Sequence, residues 1–146
     1  MCTPSQSSIR CAIVLAAGDG QRLQSFIQRL RGDSLPKQFV SFVGTRSMLE
    51  HTFHRAEKLI PPERMFTVVS RYHMIHQEVR QQLFNRAPGT VVIQPENKET
   101  GPGVLLPLMH VYKRYSESAV AVFPSDHFIV EEDLFLDHVE LAFSAV

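Results

Sequence analysis

The chain has no tryptophan, only two cysteines and no net formal charge, because 15 Lys and Arg are matched by 15 Asp and Glu. A balanced charge argues against a nucleic-acid partner or an anionic membrane surface, so any phosphate must be held by locally placed cations. Cys2 and Cys11 lie close in sequence, and a bridge between them would staple almost nothing. A reducing, cytoplasmic setting is therefore expected. No apolar run approaches the ~18 residues of a membrane span. Met1 to Ser8 is polar and lacks the apolar core of a signal peptide. Residues 1–10 read as a flexible leader and 11–146 as one domain. With 44% hydrophobic and 21% charged residues, the chain has the composition of an ordinary soluble globular domain with a sizeable core.

Strand and helix signals alternate along that domain. Apolar runs at about 11–17, Met65 to Val69, Thr90 to Ile93 and Ala119 to Phe123 read as buried strands. A glycine-bearing polar segment runs from the first of these to about residue 36. Helical spacing is expected over Ser47–Ile60, Tyr72–Asn85, Gly103–Ser116 and from Glu132 to the end, with Pro61-Pro62 stopping the first. Repeated strand–helix units predict an α/β fold: a Rossmann-like, mainly parallel sheet with helices on both faces. Ligands in such folds sit beyond the carboxyl ends of the strands. There lie Gly18 to Arg22, Gln94 to Gly103, and Pro124 to His127.

The first of these loops, Leu15-Ala16-Ala17-Gly18-Asp19-Gly20-Gln21-Arg22-Leu23, carries glycines where backbone can approach a ligand. The dinucleotide fingerprint needs a third glycine where Leu23 stands, and the P-loop needs Gly-Lys-Ser/Thr where Gly20-Gln21-Arg22 stands. Both fail. What remains is a loop whose amides can wrap a triphosphate, or a tight turn with a solvated arginine.

The pattern Leu15-x-x-Gly18-x-Gly20-x-Arg22-Leu23 followed by Pro36-Lys37 resembles the signature of the sugar-phosphate nucleotidyltransferases. Pro36-Lys37-Gln38-Phe39, Gln94 to Gly103 and Phe123-Pro124-Ser125-Asp126-His127 resemble the mannose-1-phosphate guanylyltransferase branch, in the right order and after the right strands. That resemblance implies attack by a sugar 1-phosphate oxygen on the α-phosphorus of GTP, with Mg²⁺ as cofactor and pyrophosphate as leaving group. It implies phosphate-handling, catalytic roles for Arg22 and Lys37. Leu15, Ala16, Ala17, Gly18, Gly20, Gln94, Asn97 and Thr100 would contact the nucleotide, and Asp126 would hold the metal. Asn97 would offer its amide to a base edge, and Thr100 would cap the following helix. Lys98 stands where the branch has arginine, Glu99 where it often has Asn or Gly, and Gln24-Ser25-Phe26-Ile27 where it has a Pro-Leu-Thr stretch.

The remaining histidines carry less. His73 and His76, three apart, read as a solvated helix face rather than a metal pair. The family's catalytic domains are longer than this chain, and their further part supplies the sugar-phosphate pocket and a second metal-binding aspartate. The chain therefore reads as the nucleotide half, with an exposed apolar edge and self-association expected when it is alone. A non-catalytic nucleotide-binding module, a vestigial site and a transferase for another base or sugar, such as UTP with glucose 1-phosphate, are the alternatives.

Overall fold

The computed structural model describes residues 9–146. Cys2 and most of the expected leader lie outside the described residues. Strands β1 (Arg10–Ala16), β2 (Met65–Ser70), β3 (Val91–Gln94) and β4 (Ala119–Pro124) form one parallel sheet in the order β3-β2-β1-β4. β1 starts at Arg10, inside the stretch read as leader, and ends one residue earlier than expected.

Helices α1 (Gln24–Arg31), α2 (Met48–Ala56), α3 (Gln77–Leu83), α4 (Thr100–Arg114) and α5 (Glu132–Ser144) cover the sheet. Side chains alternate across β1. Ala12, Val14 and Ala16 join the larger core with Ile27, Leu49, Phe53, Val79 and Phe143 from α1, α2, α3 and α5. Cys11 and Ile13 face the other way and pack with Phe66, Val92 and Val111, the last of these from α4. Both faces of β1 are thus dry, as its continuous apolar sequence requires.

Local sequence explains the element ends. Ser47 and Glu50 form a reciprocal capping box at the start of α2. α2 stops at Ala56, short of Pro61-Pro62, and the chain reaches the prolines through turns. The polar segment before Pro36, read from the sequence only as a glycine-bearing stretch, contains α1, which Gly32 ends in the left-handed conformation. Ile27 is its single buried residue, and Phe26 and Leu30 beside it on the same apolar face stay exposed. The expected helix over Tyr72–Asn85 is broken. Arg71–Ile75 is a 3₁₀ turn, His76 is extended at φ −75°, ψ 127°, and α3 follows.

Apolar surface remains uncovered at one side. Leu105, Leu108, Met109 and Tyr112 make an exposed stripe along α4, and Val122 is exposed on the edge strand β4. No helix among the described residues is long and apolar enough to cross a membrane.

Candidate functional site

The sheet order reverses between β1 and β4. The chain runs outward from β1 to β2 and β3, then returns to β1's other side as β4. Loops leaving neighbouring strands in opposite directions open a crevice at such a point. A cleft of about 270 Å³ lies there, lined among others by Gly18, Gln94, Asn97, Thr100, Ser125 and Asp126. Leu15 and Ala17 also line it.

Buried polar side chains fix the rim. Ser125 Oγ donates to the Leu15 carbonyl at 2.6 Å, tying the β4 loop to the end of β1. Gln38, almost wholly buried, donates from Nε2 to the carbonyls of Ala16 (2.9 Å) and Gly18 (2.8 Å). These bonds hold carbonyls at and just beyond the end of β1, and they seat the 3₁₀ turn Lys37–Phe39 beside the glycine loop. Sequence reasoning assigns neither residue such a role.

Lys37 and Asp126, 89 positions apart by their numbers, meet in a salt bridge of 2.6 Å, each side chain about 30% exposed. Burial pushes the Asp126 carboxyl up, but the Lys37 ammonium and His127 outweigh it and hold it below the usual carboxylate value. The sheet edge thus presents one cation and one anion, both partly wet and close enough to share a polyphosphate with its counter-ion.

Gly20 and Gly18 differ in what they require. Gly20 sits at φ 63° and a Cβ there would lie 3.2 Å from Lys37 Cγ and 3.3 Å from its backbone nitrogen. Gly18 has open space on that side. Gly20→Ala should therefore cost about 1–2 kcal/mol of folding stability from the left-handed backbone, before any displacement of Lys37. Gly18→Ala should leave the melting temperature unchanged while its methyl fills cleft space. Thermal melts of both variants check this, and equal destabilisation would refute it.

Arg22 stands exposed on the 3₁₀ turn Gln21–Leu23, outside the cleft lining. Thr100 does not cap α4. It is the first helical residue, and Glu99 occupies the capping position with no side-chain bond. Glu99 has φ 67° and ψ −167°, a region nearly reserved for glycine, and such residues store about 1–3 kcal/mol of strain.

His73 departs furthest from what the sequence predicts. It is buried rather than solvated, packs edge-on to Phe39 with ring centroids 5.7 Å apart, and places Nε2 3.4 Å from Asp19 Oδ1. The extended His76 ends the turn that carries His73 inward. Burial pushes the His73 imidazole below its ordinary value, with Asp19 opposing.

Among the described residues no group of His, Cys, Asp or Glu forms a metal cluster of three or more. A single carboxylate still fits Mg²⁺, which binds through one or two carboxylates with substrate phosphates and waters completing its shell. Asp126 is the residue on the cleft that suits this.

The fold and its relatives agree. A mannose-1-phosphate geranyltransferase from Thermus thermophilus superposes with a TM-score of 0.71 at 26% identity, over 90% of this chain and 36% of that one. A mannose-6-phosphate isomerase from Helicobacter pylori shares the fold at 18% identity and a TM-score of 0.62, over 94% of this chain and 46% of its own. In sequence, the xanthan biosynthesis protein XanB of Xanthomonas campestris pv. campestris is 29% identical over 91% of this chain. A mannose-1-phosphate guanylyltransferase of Escherichia coli is 26% identical over 89%. The chain spans 27% of XanB and 26% of the Escherichia coli enzyme. The match to the MobA-like NTP transferase domain takes in residues 12–144, and with the parallel sheet and the loops gathered at its reversal it makes this chain a member of that nucleotidyltransferase family.

Proposed function

We propose that this chain forms the donor-nucleotide part of a mannose-1-phosphate guanylyltransferase-like enzyme and binds GTP with Mg²⁺. The observation that carries the reading is the Lys37–Asp126 pair at the rim of a cleft floored by Gly18 and walled by the loop before α4. The names of the relatives support guanine and mannose 1-phosphate as substrates.

In the proposed reaction, a phosphate oxygen of the sugar 1-phosphate attacks the α-phosphorus. The bond from that phosphorus to the β-phosphate bridging oxygen breaks, and its electron pair leaves with pyrophosphate. Mg²⁺, when bound, neutralises phosphate charge. The chain's own part is positioning and electrostatics. The backbone at Gly18 lets the phosphates close on the loop. Lys37 releases Asp126 to meet the α-phosphate, and Asp126 becomes free for the metal. Arg22 reaches the outer phosphates from its turn. The same proposal puts the reaction in the cytoplasm.

Isothermal titration with GTP, UTP, ATP and CTP, each with and without Mg²⁺, tests the binding step. GTP·Mg²⁺ should bind tightest. With the acceptor part of the enzyme supplied, pyrophosphate release should then follow the addition of mannose 1-phosphate in preference to glucose 1-phosphate. Preference for UTP, or equal binding without Mg²⁺, would overturn the assignment.

A further inference from the structure

A carboxylate in the middle of a phosphate loop is an electrostatic oddity, because it repels the ligand the loop receives. Asp19 lies between Gly18 and Gly20, yet it is not among the residues lining the cleft. Both its oxygens are already engaged. Oδ2 accepts from Asn97 Nδ2 at 3.0 Å, and Oδ1 faces His73 Nε2 at 3.4 Å. We infer that Asp19 is a positioning residue for nucleotide binding, holding the loop before α4 at a set distance from the glycine loop through Asn97.

The inference rests on the donor-site reading above. Asp19 leaves β1, His73 follows β2 and Asn97 follows β3, so one carboxylate stitches the ends of adjacent strands. Asn97 Oδ1 in turn accepts from the backbone nitrogen of Glu99 at 3.1 Å. The brace therefore ends on the strained residue that opens α4. Asn97 is a bridge with one amide N–H and its carbonyl oxygen engaged, and it still lines the cleft. His73 is anchored behind by Phe39, which shares a turn with Lys37. Gly18, on one side of the cleft, and Asn97, Glu99 and Thr100, on the other, are the parts whose separation this brace sets. Lys37 and Asp126 keep anchors of their own, through Gln38 and Ser125, that loss of the Asp19 carboxylate leaves in place.

That separation of supports makes a KM effect without a kcat effect the signature. Asp19→Ala should raise the Kd for GTP·Mg²⁺ by about tenfold, the value of one charge-assisted hydrogen bond, and, with the acceptor part of the enzyme supplied, raise KM alike and leave kcat within about twofold. Asp19→Asn, which keeps an acceptor for Asn97, should recover most of the affinity. Asn97→Ala should mimic Asp19→Ala, and the double variant should be no worse than either single one. Amide hydrogen exchange in the nucleotide-free chain should rise over residues 95–103 in Asp19→Ala. Tighter nucleotide binding in Asp19→Ala, or unchanged affinity and unchanged exchange, would overturn the inference. A wild-type chain that binds no nucleotide, with exchange still raised in the variant, would leave the brace supported and defeat the donor-site reading instead.

Discussion

Replacing Lys37 with alanine is expected to weaken GTP·Mg²⁺ binding by about 10- to 100-fold, the loss of a hydrogen bond between charged groups. With the acceptor part of the enzyme supplied, pyrophosphate release should fall further, by about 100- to 1,000-fold, as for removal of a preorganised donor to a developing anion. The larger kinetic loss follows from charge. The ammonium faces more negative charge on the phosphates as the leaving bond stretches than it does in the ground state. Lys37→Arg should recover only part of the rate, because a planar fork cannot place a point charge where the ammonium stood. Folding should hardly notice. The Lys37–Asp126 bridge is about 30% exposed at either end, and such pairs are worth less than about 1 kcal/mol. A melting temperature that falls far while binding is spared would assign Lys37 to the fold rather than the site. Titration calorimetry, a coupled pyrophosphate assay and a thermal melt on the same preparation separate the outcomes.

The sheet was legible because its strands advertise themselves. Ala12-Ile13-Val14-Leu15 and Met65-Phe66-Thr67-Val68-Val69 are buried on both faces and so carry no polar alternation to confuse them. α2 was legible in its start and its apolar face. α1 was missed although Leu23, Phe26, Ile27 and Leu30 have helical spacing and Gly32 closes it, because the flanking glycines and polar residues read as one long loop. Residues 72–85 have a continuous helical rhythm, but the chain spends its first turn as 3₁₀ and resets at His76, which turns His73 into the core. No local pattern announces that.

The site divides in the same way. Loops after β1, β3 and β4 could be placed at one sheet edge from topology, and the cleft lies there. Gln38, Ser125 and the Asp19–His73–Asn97 set could not be read in advance. Their partners lie far off in sequence, at 22 positions for Gln38, 110 for Ser125 and 78 for Asn97. A glutamine after a lysine, or a serine before an aspartate, acquires a role only when the fold decides which carbonyls lie beside it.

Arg55 tests how firmly that fold holds the metal-side loop. It is 2% exposed, and its guanidinium joins three separate parts of the chain. Nη1 meets Glu132 Oε1 of α5 at 3.2 Å, and Nη2 donates to Thr52 Oγ1 at 3.3 Å and to the His127 carbonyl at 3.4 Å. The group also lies 5.7 Å from the centre of the Phe135 ring. Burial pushes its pKa down, with Glu132 opposing. Arg55→Ala removes the cation, opens a cavity and strands the His127 carbonyl next to Asp126. Glu132 keeps Lys58 and some solvent, so the cost is that of emptying a large buried site, about 3–5 kcal/mol, which at roughly 4 °C per kcal/mol lowers the melting temperature by about 12–20 °C. Arg55→Met with Glu132→Gln should regain most of this, since the volume is kept and no charge is left unpaired. A loss below about 1 kcal/mol in Arg55→Ala would show that solvent rescues the pair. The functional consequence is separable by a stability-matched control. Phe66→Ala empties the core on the α4 side, away from Asp126, at a similar cost of about 3–5 kcal/mol. Well below both melting temperatures, Arg55→Ala should bind GTP·Mg²⁺ more weakly than Phe66→Ala does. Of the two residues Arg55 alone touches the loop on which the carboxylate stands, so equal affinities would reduce it to a packing residue.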